Sequence, residues 1–449
     1  MCLPLVSCAR LQSKLSLPEQ CVHQPSRDSS LSNLTTAAAA FSVYFCMYAF
    51  RKPFTAGTFD GQEVFGLGLK TVLVLSQLSG YMLSKFIGVK IISEMPRSRR
   101  AVAMLALIGF AELALVGFAY LPTPAKVVML FLNGLPLGLI FGIVLAYLEG
   151  RRQTEALAAG LCASFIVSSG VVKSVGRWLI VEHGVSEFQM PFMTGAMFLP
   201  PLFFSVWLLH KTPEPTNRDR EVRSERKAMT ALQRREFFRA YAPGLSMLLF
   251  VYILLTITRT IRDDFGVEIW KSLGVQEQPS VFARSETVVG IVATVLNALA
   301  ICFVRNISAL RAATVLICTG FVVAIGAAAA QWQGQVGPFS FMVACGIGLY
   351  LPYVAFHTTV FERIVAASHH SANLGFLMYI ADSLGYLGYA AIVCLKMFGP
   401  EDIDILWCFR NMLFWGSAAS IGAIVWALLY FQRAFLMRQN EGVTEEGSG

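Results

Sequence analysis

The sequence predicts an all-α integral membrane protein, with twelve transmembrane helices in two six-helix halves. Mean hydropathy is +0.60. Only 14% of the 449 residues are charged, where a soluble chain carries about 25%. Apolar runs of about twenty residues, each long enough to cross a bilayer as a helix, recur along the chain. The order of features in the first half also returns in the second. A membrane barrel is not expected, because its strands would be short and alternating.

Residues 1–33 begin MCLPLVSCARLQSKLSLPEQCVHQPSRDSS and read as a disordered cytoplasmic tail. Their apolar stretch is too short for a signal-peptide core, and no positive region precedes it. The first half covers 34–209, with spans near 35–56, 66–90, 101–121, 126–148, 156–180 and 190–209. Residues 210–242 are the one long hydrophilic segment inside the chain. They read as a solvated cytoplasmic linker, part of it an amphipathic surface helix. The second half covers 243–433, with spans near 243–264, 284–305, 309–330, 337–361, 371–397 and 408–433. A cytoplasmic tail, 434–449, follows.

The net charge of +8 does not point to nucleic acid, because the basic residues sit in loops. Lys90, Arg97, Arg99 and Arg100 follow span two, and Arg151 and Arg152 follow span four. Arg305, Arg311, Arg363, Arg433 and Arg438 fall on the same side. The opposite connections hold little beyond Lys126. The positive-inside rule then places both termini and the linker in the cytoplasm, in a cell inner (plasma) membrane. The ten cysteines are scattered without a CxxC and read as packing residues. No P-loop or metal-ligand cluster is found, so neither enzyme activity nor a cofactor or metal is expected. The expected partners are the lipid bilayer and a small anionic solute, with the chain a monomer.

Arg51 stands where a charge should be avoided, near the end of LTTAAAAFSVYFCMYAFRKPF (34–54). A cation in the hydrocarbon region costs about 3 kcal/mol on insertion scales, so it faces a cavity or a partner. Tyr44, Tyr48 and Arg51 are spaced i, i+4, i+7, which a helix places on one stripe. The pattern returns with Tyr252, Arg259 and Arg262. Val64-Phe65 before Lys70-Thr71-Val72 is echoed by Val281-Phe282 before Glu286-Thr287-Val288. Asn133-Gly134-Leu135-Pro136 leading to Glu149-Gly150-Arg151 is echoed by Cys345-Gly346 through Leu351-Pro352 leading to Glu362-Arg363. With an even number of spans per half, such repeats are parallel and place a solute site between the halves near mid-membrane.

Tyr48-Ala49-Phe50-Arg51-Lys52-Pro53-Phe54 resembles the Y-x-x-R-K-x-F signature of the organophosphate:phosphate antiporters, the glycerol-phosphate and hexose-phosphate carriers of the major facilitator superfamily. Ser84-Lys85-Phe86 resembles their S-K-F stretch. Arg259 with Asp264-Phe265 resembles their R-x4-D-W, and Leu384-Gly385-Tyr386-Leu387-Gly388 their F-G-Y-L-G. The chain is also similar to a divergent bacterial subgroup of facilitator-like proteins. The resemblance implies a major facilitator fold, and implies that Arg51 and Arg259 bind a substrate phosphate. Arginine's planar fork suits that task on chemical grounds alone. Two departures stand out. The family's span-five histidine is missing from Ser164-Phe165-Ile166-Val167-Ser168-Ser169-Gly170, with Lys173 and Arg177 farther along. The acid of the superfamily's second loop is displaced to Glu94.

Further candidates follow from position. Lys52 is a neighbour of Arg51 that a helix would turn to another face. Arg262 is expected to pair locally with Asp263 and Asp264. Tyr350, Tyr353 and His357 share one face of span ten, which suits a proton or substrate role. Tyr379, Asp382 and Tyr386 share one face of span eleven. Asp382 lies near the bilayer centre, so it must pair, with Lys173 or an arginine, or be protonated. Glu149, Arg151, Glu362 and Arg363 at cytoplasmic ends are candidates for a gating network, against plain solvation. The sequence thus points to a secondary transporter of a small organic anion, a phosphate ester or carboxylate. A proton-coupled symporter of another solute, or an anion sensor on a transporter scaffold, stays open.

Overall fold

The computed structural model describes residues 27–93, 95–148, 154–212, 231–275, 278–301, 306–368, 374–397 and 404–446. Among the described residues twelve long helices follow in order. In the first half these are α1 (Arg27–Met47), α2 (Leu69–Ser93), α3 (Arg97–Tyr120), α4 (Thr123–Leu148), α5 (Thr154–Val181) and α6 (Met190–His210). In the second they are α7 (Ala231–Asp264), α8 (Ser280–Ile301), α9 (Asn306–Trp332), α10 (Pro338–Ala355), α11 (Leu374–Met397) and α12 (Ile405–Glu446). Among the described residues nine helices are long and apolar enough to cross a membrane. Shorter apolar stretches, Thr35–Phe50 and Ile380–Leu395, lie in α1 and α11.

Within the first half α1 packs on α5 and α6, α2 on α4, and α3 on α4 and α6. The second half repeats each pairing six helices later: α7 on α11 and α12, α8 on α10, α9 on α10 and α12. The halves meet through α5 against α8 and α2 against α11, which are one contact seen twice across the repeat axis. Small residues make these approaches possible, since lipid supplies no hydrophobic drive between helices. A Cβ on Gly134 of α4 would lie 2.2 Å from the Gln77 carbonyl of α2. A Cβ on Gly170 of α5 would lie 2.6 Å from the Phe282 carbonyl of α8.

Several elements depart from the spans read in the sequence. Helix α1 begins at Arg27 and ends at Met47, and two 3₁₀ turns, Tyr48–Phe50 and Pro53–Ala56, carry the chain on. Pro53, which has no N–H to donate, cannot continue the helix hydrogen bonds and opens the second turn instead. Leu67 and Gly68, expected within span two, instead close a hairpin with Glu63–Val64, and the helix begins at Leu69. Helix α7 starts inside the expected linker at Ala231 and kinks at Tyr241, before Pro243. Pro352 interrupts the regular pattern of α10, which runs through a π turn, Phe356–Val360, into the helical segment Phe361–Ala367. Helix α12 continues through the expected tail to Glu446. Most of the N-terminal tail and residues 213–230 of the linker lie outside the described residues.

Helix α1 starts from one side of the bundle. That side is called the terminal side below, and the opposite one the far side.

Candidate functional site

The break after α1 frees backbone carbonyls in a region without water, where each must find a donor. The Gln77 amide of α2 donates to the Arg51 carbonyl at 2.8 Å. The Asn133 amide of α4 donates to the Phe50 carbonyl at 3.0 Å and to the Ala111 carbonyl of α3 at 3.0 Å. Gln77 also donates to the Asn133 Oδ1 at 2.8 Å. These two side chains fix the backbone that carries Arg51. The second half has a matching break at Phe265, between α7 and the short helix Gly266–Ser272.

Arg51 and Arg259 line one cavity between the halves, together with Tyr48, Gln77, Thr260 and Tyr386. Arg51 lies over the Tyr81 ring at 3.7 Å, and Arg259 over the Tyr353 ring at 4.3 Å. Such contacts are worth about 2 kcal/mol once desolvated, less than a buried charge loses. Both arginines are buried, and neither has a carboxylate within ion-pair distance among the described residues. The Nε of each is buried without a hydrogen-bond partner. The cavity volume is about 20 Å³, room for a water molecule.

An ion-pair cluster closes the cavity on the far side. Lys52 Nζ lies 2.5 Å from Asp263 Oδ2 and 2.5 Å from Asp264 Oδ1. Lys173 of α5 also binds Asp263, at its carboxylate and its carbonyl. Ser169 donates to Asp263 at 2.5 Å, and Tyr389 of α11 to Asp264 at 2.9 Å. Lys70 paired with Glu268 adds a further bridge between the halves.

On the terminal side Asp382 of α11 meets Lys85 of α2 at 2.5 Å. Tyr252 of α7 donates to the same carboxylate at 2.5 Å, and His357 Nε2 lies 3.9 Å from it. The π turn aims His357 here, with Nδ1 3.1 Å from the Tyr353 carbonyl. The rings of Tyr81 and Tyr386, 5.9 Å apart, separate this layer from the arginines. Asp382, Tyr386 and Tyr389 climb α11 in steps of about 6 and 4.5 Å, so the three layers stack along the interface.

Charge balance follows from these contacts. Lys52, Lys85, Lys173 and Arg262 are matched in the interior by Asp263, Asp264, Asp382 and Glu286. Among the described residues the buried cations without an acid are Arg51, Arg259 and Lys126, and Lys126, at the start of α4, donates to the Phe118 and Ala119 carbonyls instead.

The structure therefore gathers Arg51, Arg259, Tyr48, Lys52, Lys173, Tyr353, His357 and Asp382 into one column. Tyr44 stands aside, packed on Tyr48 and Phe141. Glu362 and Arg363 lie away from the cavity, and Glu149 and Arg151 fall outside the described residues. Two expected pairings are corrected. Arg262 pairs with Glu286 at 2.8 Å, not with Asp263 and Asp264, because helix neighbours point about 100° apart and Arg262 faces α8. Asp382 pairs with Lys85, while Lys173 is held by Asp263. Sequence reading missed Lys85 as that partner and the roles of Gln77 and Asn133. Lys85 in Ser84-Lys85-Phe86 was a visible intramembrane cation that asked for an acid.

No curated protein sequence matches this one. Its fold is similar to that of several solved transporters. A proton:xylose symporter of the major facilitator superfamily superposes with TM-score 0.59 at 14% identity, over 90% of this chain and 96% of that one. A nucleoside transporter gives 0.56 at 12%, over 89% and 99%. A bacterial homologue of the human lysosomal transporter Spinster, inward-facing and unoccupied, gives 0.58 at 12%, over 92% and 99%. The fold is thus the major facilitator fold, in agreement with the repeat of helix pairings. Residues 53–434 match the protein family DUF5690, a family of unknown function, and the chain belongs to it.

Proposed function

We propose that this protein is a secondary transporter that moves a small organic anion across the membrane by alternating access around Arg51 and Arg259. One observation carries the reading: two buried guanidinium groups, one from each half, line the same cavity, and among the described residues neither has a carboxylate within ion-pair distance, Asp263 and Asp264 of that lining being held by Lys52 and Lys173. An uncompensated buried cation costs several kcal/mol, and an anion bound bidentately by each fork offsets that cost. Two unmatched positive charges favour a dianion, such as a phosphate monoester or a dicarboxylate. The resemblance of Tyr48–Phe54 to the organophosphate carriers points to the phosphate ester and to antiport.

A cavity with room for one water cannot hold such a solute, so the halves must part to load it. The Lys52–Asp263–Lys173 cluster is the far-side gate in this reading, and Lys85–Asp382 the terminal-side gate. The membrane is the inner (plasma) membrane, with the terminal side cytoplasmic. Nothing in the column calls for bond chemistry, and the protein is read as no enzyme.

A second reading has its own support. Asp382 is met by Tyr252, Lys85 and His357 together, a group able to hold and pass a proton. A proton-coupled symporter would use it. Counterflow in proteoliposomes decides among the readings. Exchange of a labelled phosphate ester that needs no pH gradient supports the antiporter. Uptake only with a proton gradient supports the symporter. Binding without any flux would leave an anion sensor.

A further inference from the structure

We propose that the far-side mouth of the interface is a second ligand site, distinct from the arginine pair, for a small organic monoanion with an apolar body. A cavity of about 230 Å³ lies there, more than ten times the volume at Arg51 and Arg259. It is below the ~300–1,000 Å³ of drug-sized pockets and suits a small metabolite.

Its walls supply both halves of such a ligand's chemistry. Trp270, Val281 and Phe282 are buried side chains that line one wall, with the Trp270 and Phe282 rings edge-on at 6.4 Å. Two cations and one carboxylate also line the cavity, beside Thr58 and Gln278. Lys271 is matched by Asp60 at 3.1 Å. Arg177, half-buried on α5, has no carboxylate within ion-pair distance among the described residues, so one positive charge is left among the described lining residues. Arg177 stands one turn outward from Lys173, on the same face.

The walls are also held in place. The Glu187 carboxylate accepts the amide of Thr58 at 2.6 Å and that of Phe59 at 2.8 Å, which fixes the loop bearing Asp60. Ser174 of α5 accepts the Ala283 amide at 2.9 Å, which pins the start of α8 beside Arg177. Asp60 and Arg177 belong to the first half, and Trp270, Lys271 and Phe282 to the second. The site is therefore complete only while the far side is closed, and its ligand stabilises that closure by mass action.

The test is calorimetric titration of the purified full chain with phenylacetate, with acetate as the head group alone. Phenylacetate binds the wild type, and acetate binds about tenfold more weakly or worse, having lost the apolar body. Arg177→Gln and Trp270→Ala each weaken phenylacetate about tenfold or more. Arg51→Ala leaves its affinity within about twofold, because the sites are separate. Trp270→Phe keeps an aromatic wall and keeps binding, which covers a Trp270→Ala variant that fails to fold. Unchanged phenylacetate affinity in a folded Arg177→Gln overturns the proposal. So does binding that vanishes in Arg51→Ala, or no binding at all.

Discussion

Lys85 on α2 and Asp382 on α11 meet at 2.5 Å across the boundary between the two halves. They lie 297 residues apart and form the terminal-side end of a column whose far end is Lys52 with Asp263 and Asp264. Between the two bridges stand the arginines that no acid matches. Asp263, Asp264 and Asp382 thus hold the halves together, and among the described residues none of them is within ion-pair distance of Arg51 or Arg259.

Removing one member of the Lys85–Asp382 pair strands the other in low dielectric. Lys85→Ala and Asp382→Asn should each cost about 3–5 kcal/mol, whereas the double variant Lys85→Met with Asp382→Leu should recover most of that loss. Thermal unfolding in detergent measures it. Single variants as stable as the wild type would show that the pair is solvated.

Arg51 and Arg259 should behave in the opposite way. Arg51→Ala or Arg259→Ala should lower stability far less than Lys85→Ala, because no ion pair is broken. Each should abolish the stabilisation by a phosphate ester, which for the wild type is about 2.7 kcal/mol at a hundred times Kd. Arg51→Lys should also fail, since an ammonium cannot make the bidentate contact. A ligand-induced shift retained in Arg51→Ala would refute the site.

Access to the cavity should depend on which bridge is cut. Thr260 lines the cavity and is buried, so Thr260→Cys reports on opening. With the native cysteines replaced, Lys52→Ala should speed its labelling by an impermeant maleimide from the far side by about tenfold, a shift of ~1.4 kcal/mol in the opening equilibrium. Lys85→Ala should not speed labelling from that side. Equal labelling in both backgrounds would remove the gate assignment.

Asn133 should matter although it never touches a solute. Asn133→Leu leaves the Phe50 carbonyl without its donor and should cost about 1–3 kcal/mol of stability. The same change should weaken anion binding by loosening the backbone under Arg51. Its cost in stability should persist in the Arg51→Ala background, which binds no anion, and this separates the structural role from the effect on binding.

The twelve helices, their order and the doubled arginine follow from hydropathy and repeat alone. A span must be apolar over about 30 Å, and a charge inside it is conspicuous because it is costly. Such signals are local and survive without a structure. Pairing is not local. Asp382 announced that it needed a cation, yet Lys85, Lys173 and both arginines all met the requirement. Only the packing of α2 against α11 and α5 against α8 chose among them. The same packing turned Arg262 toward Glu286, gave Asp263 to Lys52 and Lys173, and left Arg51 and Arg259 without an acid among the described residues. Sequence states which charges are buried. The tertiary structure decides which are neutralised, because ion pairing depends on distances of a few ångströms between helices hundreds of residues apart.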